Sequence, residues 1–280
     1  MTASTATNLS AISLDVPVVD SHSHVIADDP VRYPLAPMGG KQSDWSKERP
    51  VNGFGMAQAL KEAGVAKSVL VQASTCYGHD NSYTLDCVKA NTSQFVGVYS
   101  VDTLQLDAVA QVKHWKDAGL SGMRVFIAGH TAAADHSVRL DDPRSFPVWE
   151  YISEHHIPMC VQLRADGLPQ LETLLKQFPK ATVILDHFAR PVLEEGAPYA
   201  QAASLFALAK YPNLNFKFTT HNVRESKEGK STQAAFSKAV VSAFGANRIA
   251  WGSNFPASAY ASLVCLPTLP PAGMFGCGKR

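Results

Sequence analysis

Eight short apolar runs, separated by stretches of helical spacing, predict an α/β fold: a closed (β/α)8 TIM barrel lacking a normal eighth helix. The runs are residues 16–25, 67–74, 95–102, 122–127, 158–164, 182–188, 214–219 and 248–255. Nearly continuous Val, Ile, Leu and Phe mark strands buried on both faces, as in a parallel sheet. Between them, 56–64, 106–120, 168–178, 200–210 and 234–245 repeat apolar residues every three or four positions, which gives a helix one buried face. Connections entering strands are short, at 65–66, 91–94, 119–121, 179–181 and 245–247. Several that leave strands are long, at 26–52, 128–145, 188–198 and 220–232. Parallel strands all point one way, so the long loops must gather at the C-terminal mouth, where this fold builds its sites.

The 280 residues suit one barrel, with residues 16–256 as the barrel and no linker dividing it. Residues 1–15 lack a basic region and an apolar core, so they read as a short leader and not a secretory signal. Residues 257–280 form an atypical tail. Pro267, Pro270, Pro271, Gly273, Gly276 and Gly278 interrupt any helix that would cover the last strand. A truncated or frame-altered ending with an exposed apolar flank is the expectation. A formal net charge of +1 gives no field for nucleic acid or an anionic membrane, and no run is long enough to span a bilayer. Cys76, Cys87, Cys160, Cys265 and Cys277 are scattered without a paired motif, which points to reduced thiols and a cytoplasmic setting.

The chemistry concentrates at strand ends. In Asp20-Ser21-His22-Ser23-His24, alternation puts Asp20, His22 and His24 on one face, expected to be the barrel interior. Two neutral imidazoles two residues apart suit one cation or one oxyanion. His187 ends the sixth run, and Asp186 beside it has opposite parity, so it is expected to face a helix or orient the rim. Asn254 ends the eighth run in WGSNFP and reaches the same mouth. Arg124, Arg164, Arg190, Lys217 and Arg224 fall at or beyond strand ends as a cationic fringe, and Arg124 faces inward by parity. Guanidinium groups recognise carboxylates through paired hydrogen bonds, so a small anionic organic substrate is expected. His79, His130 and His221 lie on loops over the same mouth.

D-x-H-x-H on the first strand, L-D-H on the sixth and W-G-S-N-x-P on the eighth resemble the amidohydrolase superfamily, in particular its amidohydrolase-related (amidohydrolase 2) branch of lactonases and metal-dependent decarboxylases. The resemblance implies a hydrolase opening a carboxylated lactone, with His22, His24 and His187 as metal or substrate ligands around one divalent cation, zinc first. A metal-free site is the alternative. It also implies a carboxylate-holding role for Arg124; Gln162 by its amide, and Lys217 and His221 by their place at the mouth, are the further substrate-contacting candidates. A non-oxidative decarboxylase and a barrel that only binds an anionic metabolite are the other readings. Two positions depart from the branch. Gln162 stands where two-metal members have a fifth-strand histidine, and Asn254 where an aspartate deprotonates water. An amide cannot serve as that base, which leaves His187, Asp102 or a cation-bound water.

Overall fold

The computed structural model describes residues 16–126 and 138–258. Eight strands run in chain order: β1 Val18–Ser23, β2 Val65–Val71, β3 Phe95–Ser100, β4 Gly122–Phe126, β5 Met159–Gln162, β6 Val183–Leu185, β7 Leu214–Thr219 and β8 Ile249–Gly252. Each pairs with the next in parallel, and the sheet order is sequential. The predicted alternation is therefore realised as a barrel. Residues 1–15, most of the 128–145 loop with His130, and the tail from 259, with Cys265 and Cys277, lie outside the described residues. Cys76, Cys87 and Cys160 are free thiols, all buried.

Closure of the barrel depends on the seam between β1 and β8. Ser23 bridges Phe255, His24 N donates to Phe255 O at 2.8 Å and Asn254 N to His22 O at 2.7 Å. Asp20, expected in the interior beside the histidines, instead turns to this seam. Its carboxylate accepts from Ser253 N at 2.9 Å, Ser253 Oγ at 2.5 Å and His22 N at 3.0 Å. Burial raises its pKa to about 6 against the pull of those donors. Gly252 is needed here for close approach, because a Cβ would fall 2.7 Å from His22 Cβ.

Helices cover the outside by the expected periodicity. Leu168–Gln177 buries Leu168, Leu171, Leu174 and Leu175 on one stripe, each contributing about 1.5–3 kcal/mol by burial. Residues 200–210 depart from the expected helix. They form a 3-10 turn, four α-helical residues and a second 3-10 turn. Buried Ala202, Leu205 and Leu208 recur every third position, which matches three residues per turn and not 3.6. Residues 65–66, read as a connection, begin β2. Among the described residues, no helix is long and apolar enough to cross a membrane.

Candidate active site

At the C-terminal mouth a cavity of about 440 Å³ is lined by His24, Arg124, Gln162, His187, His221 and Asn254. The long loop after β1 supplies its far wall through Met38, Lys41 and Trp45, among others. The Trp45 ring lies 5.3 Å from that of His24. His22 is buried and is not among the lining residues, its ring 5.0 Å from His24 and 4.9 Å from His187.

His24 and His187 are each oriented by a partner on Nδ1, and His221 has a polar neighbour on each ring nitrogen. His24 Nδ1 lies 2.7 Å from Val71 O; a carbonyl only accepts, so Nδ1 carries the proton and Nε2 keeps its lone pair. His187 Nδ1 sits 2.6 Å from Thr219 Oγ1, and Asn222 Nδ2 donates to His187 O at 2.8 Å. Thr219 and Asn222 also form the capping box of the helix Thr220–Glu225, so one helix start fixes one imidazole. Asn254 Nδ2 contacts His221 Nε2 at 3.2 Å and Ser258 Oγ at 2.8 Å. Burial lowers the pKa of His24 to about 4 and that of His221 to about 3. It holds His187 well below its ordinary range, with His22 and His221 adding to the effect. All three are neutral bases at neutral pH.

Beneath them lies a cluster of charges that sequence reading did not assemble. Arg124 Nε donates to Asp186 Oδ2 at 2.8 Å, and Lys217 Nζ lies 3.2 Å from Asp186 Oδ1. The same lysine lies 3.3 Å from His22 Nδ1 and 3.3 Å from Cys160 Sγ. Burial alone would raise the Asp186 pKa; Lys217 and Arg124 overcome it and hold the carboxyl well below its usual range. Lys217 remains an ammonium because Asp186 outweighs its burial.

Asp186 is expected by parity to face a helix or orient the rim. The first of these fails because β6 stops at Leu185 and residues 187–190 take left-handed conformations, φ 50–58°, which ends the pleated alternation. Lys217, read as part of the loop-side fringe, is buried in mid-strand and does not line the cavity. Arg164 is exposed, Arg190 pairs with Glu225, and Arg224 is exposed beside His221. His79 and Asp102 line a separate cavity of about 290 Å³, so Asp102 is not placed to activate water here. Sequence reading found neither Lys41 nor Trp45, and noted Asp186 without its buried cationic partners. The first two belong to a loop without a motif; the third had a signal, a lone carboxylate inside VILDHF that needs a buried partner.

The donor set does not fit a resident divalent cation. Arg124 and Lys217 against Asp186 leave the buried cluster with a net +1 charge before any ion is added, and Asn254 contributes no charge. Among the described residues, no group of three or more His, Cys, Asp or Glu is arranged to hold a metal. The electrostatics favour an anion.

The His24 shift has a consequence for stability. An unfolded imidazole titrates near 6.5 and the folded one near 4, a difference of about 3 kcal/mol. Between these values the unfolded chain binds the proton and the folded chain does not, so stability falls as pH drops from 6.5 toward 4. Asp20 acts in the opposite sense between 3.8 and about 6, because its folded carboxyl keeps its proton longer than the unfolded one. A His24→Gln variant removes only the first contribution. Its melting temperature relative to the parent should rise steadily as pH falls through that window; a constant offset would show that His24 does not titrate this way.

Curated relatives agree in class. The chain is 27% identical over 202 residues to an L-fucono-1,5-lactonase of Burkholderia ambifaria, covering 71% of this chain and 68% of that protein. It is 27% identical over 250 residues to a 2-pyrone-4,6-dicarbaxylate hydrolase of Comamonas testosteroni, covering 85% and 76%. A crystal structure of an amidohydrolase from Burkholderia multivorans with bound zinc superposes with a TM-score of 0.63 at 20% identity, covering 92% of this chain and 88% of that one. That likeness shows the shared fold. A family model described as Amidohydrolase matches residues 19–264, and this chain belongs to the amidohydrolase family.

Proposed function

We propose that this chain hydrolyses a carboxylated lactone, adding water to the ring ester without a resident metal. The observation that carries the reading is a cavity where neutral imidazoles and the Arg124 guanidinium face the same space above a net positive floor. Both curated relatives described above are named as lactone-opening or pyrone hydrolases.

His187 is the candidate base. Thr219 can accept its Nδ1 proton and pass a hydrogen bond to Asn222 Oδ1 at 3.4 Å, which leaves the Nε2 lone pair for water. His24, with its proton committed to Val71 O, accepts the second water hydrogen and orients the nucleophile. Arg124 holds the substrate carboxylate by a charge-assisted contact. His221, Gln162 and Asn254 line the remaining wall. Proton return from His187 to the leaving alkoxide completes ring opening to a hydroxy acid.

The test is a pH-stat assay on paired carboxylated and neutral lactones with chelator present. Ring opening of the carboxylated member, without carbon dioxide release, is the expected result. In Arg124→Met the KM for that substrate should rise about 10–100-fold, the scale of one hydrogen bond to a charged group. The neutral lactone should show no such change. Preference of the parent for neutral lactones, or activity that vanishes with chelator, overturns the reading.

A further inference from the structure

We infer that Lys217 is a positioning residue that fixes the tautomer of His22, making His22 a hydrogen-bond donor toward the substrate oxygen and not a metal ligand. This rests on the reading just given for the site's reaction, but its principal evidence does not.

His22 Nδ1 has two charged neighbours, Lys217 Nζ at 3.3 Å and Asp186 Oδ1 at 3.6 Å. The closer is an ammonium, which only donates. Asp186 Oδ1 has no hydrogen-bond partner of its own but lies beyond hydrogen-bond reach of the ring, ion-paired with Lys217, while Oδ2 takes Arg124. Nδ1 therefore accepts, and the proton of the neutral ring sits on Nε2. That nitrogen is buried and has no hydrogen-bond partner, between the rings of His24 and His187 that line the cavity.

A buried donor without a partner costs about 1–3 kcal/mol. A substrate oxygen seated between the two flanking rings would satisfy it, and the bond would strengthen as negative charge develops there. His22 and His24 then divide the work, the first donating from Nε2 and the second accepting at Nε2. A metal needs the opposite of His22, a lone pair on Nε2, which Lys217 denies by occupying Nδ1.

The test converts one state into the other. Lys217→Met removes the ammonium at similar volume and leaves the Arg124–Asp186 pair in place, so Asp186 Oδ1 becomes the acceptor for an Nδ1 proton. Cobalt(II), followed by its visible absorption, should then bind about 10²-fold more tightly than to the parent, the usual scale for a partner that orients a metal-bound histidine. Lys217→Arg keeps the cation and should bind no better than the parent. For lactone turnover, Lys217→Met should lower kcat about 10²–10³-fold with KM nearly unchanged.

Should Lys217→Met fail to fold, the parent itself decides. Two-bond nitrogen-15 correlation spectra of its imidazoles, with the His22 signals identified by their loss in His22→Gln, should show the proton on Nε2. A proton on Nδ1, or equal cobalt affinity in a folded Lys217→Met, overturns the inference. If the tautomer and cobalt results hold but no lactone is opened, the proposed reaction fails and the role of Lys217 stands.

Discussion

Asp186→Asn is expected to lower unfolding free energy by about 3–5 kcal/mol, seen as a lower urea midpoint at an unchanged slope. The carboxylate is fully buried and is the counter-charge for both Arg124 at 2.8 Å and Lys217 at 3.2 Å. The amide would leave two cations facing each other without compensation in a medium that screens poorly. Lys217→Met should cost less, because it leaves one matched pair. The reverse order of stability would contradict the arrangement of the three groups. The pH dependence has a defined sign as well. The Asp186 pKa is depressed on folding, so its contribution is present above the unfolded value and is lost as pH falls through the folded one. Asp186→Asn should therefore lose less stability on acidification than the parent.

Asp186 also marks where the sequence stops being legible. Strand identity was readable because doubly buried strands carry near-continuous apolar residues, and the histidines followed because they sit at the ends of those runs. His22 and His24 do come together beside the cavity, although the strand register shifts between Asp20 and Ser23 and His24 lies just past the end of β1. Parity broke at Asp20, whose carboxylate found three donors on its own strand and across the seam. It broke again past Leu185, where His187, Phe188, Ala189 and Arg190 all adopt positive φ without a glycine to signal it. Non-glycine residues enter that region at a cost, and such a run is held by its surroundings. Here these include the Asn222 bond to His187 O. What the sequence did carry was a charge count. Arg124, Asp186 and Lys217 each interrupt an apolar run, and buried charges persist when they are paired. Pairing them with one another, in place of assigning Lys217 to the rim, would have located the cluster.

Asn254→Asp should raise kcat/KM for a carboxylated lactone by about 10²-fold, near the lower end of what a positioned general base supplies. The backbone is ready for the change. Asn254 holds φ 55°, a region both residues tolerate, and its N–H bond to His22 O at 2.7 Å does not involve the side chain. The carboxylate has the same shape, can accept from Ser258 Oγ at 2.8 Å, and meets His221 at 3.2 Å. It also adds one negative charge near a cluster of net +1, so the field favours the ionised form. The gain is set at the lower end because the proposed base, His187, would already serve the parent. The decisive comparison is therefore a double substitution. His187→Ala should reduce the parent by about 10²–10⁴-fold, yet reduce Asn254→Asp far less, since two bases serving one proton transfer are not additive. If Asn254→Asp folds and shows no gain, the position only orients substrate and His187 stands as the base. If His187→Ala costs the same in both backgrounds, the introduced carboxylate does not reach the attacking water.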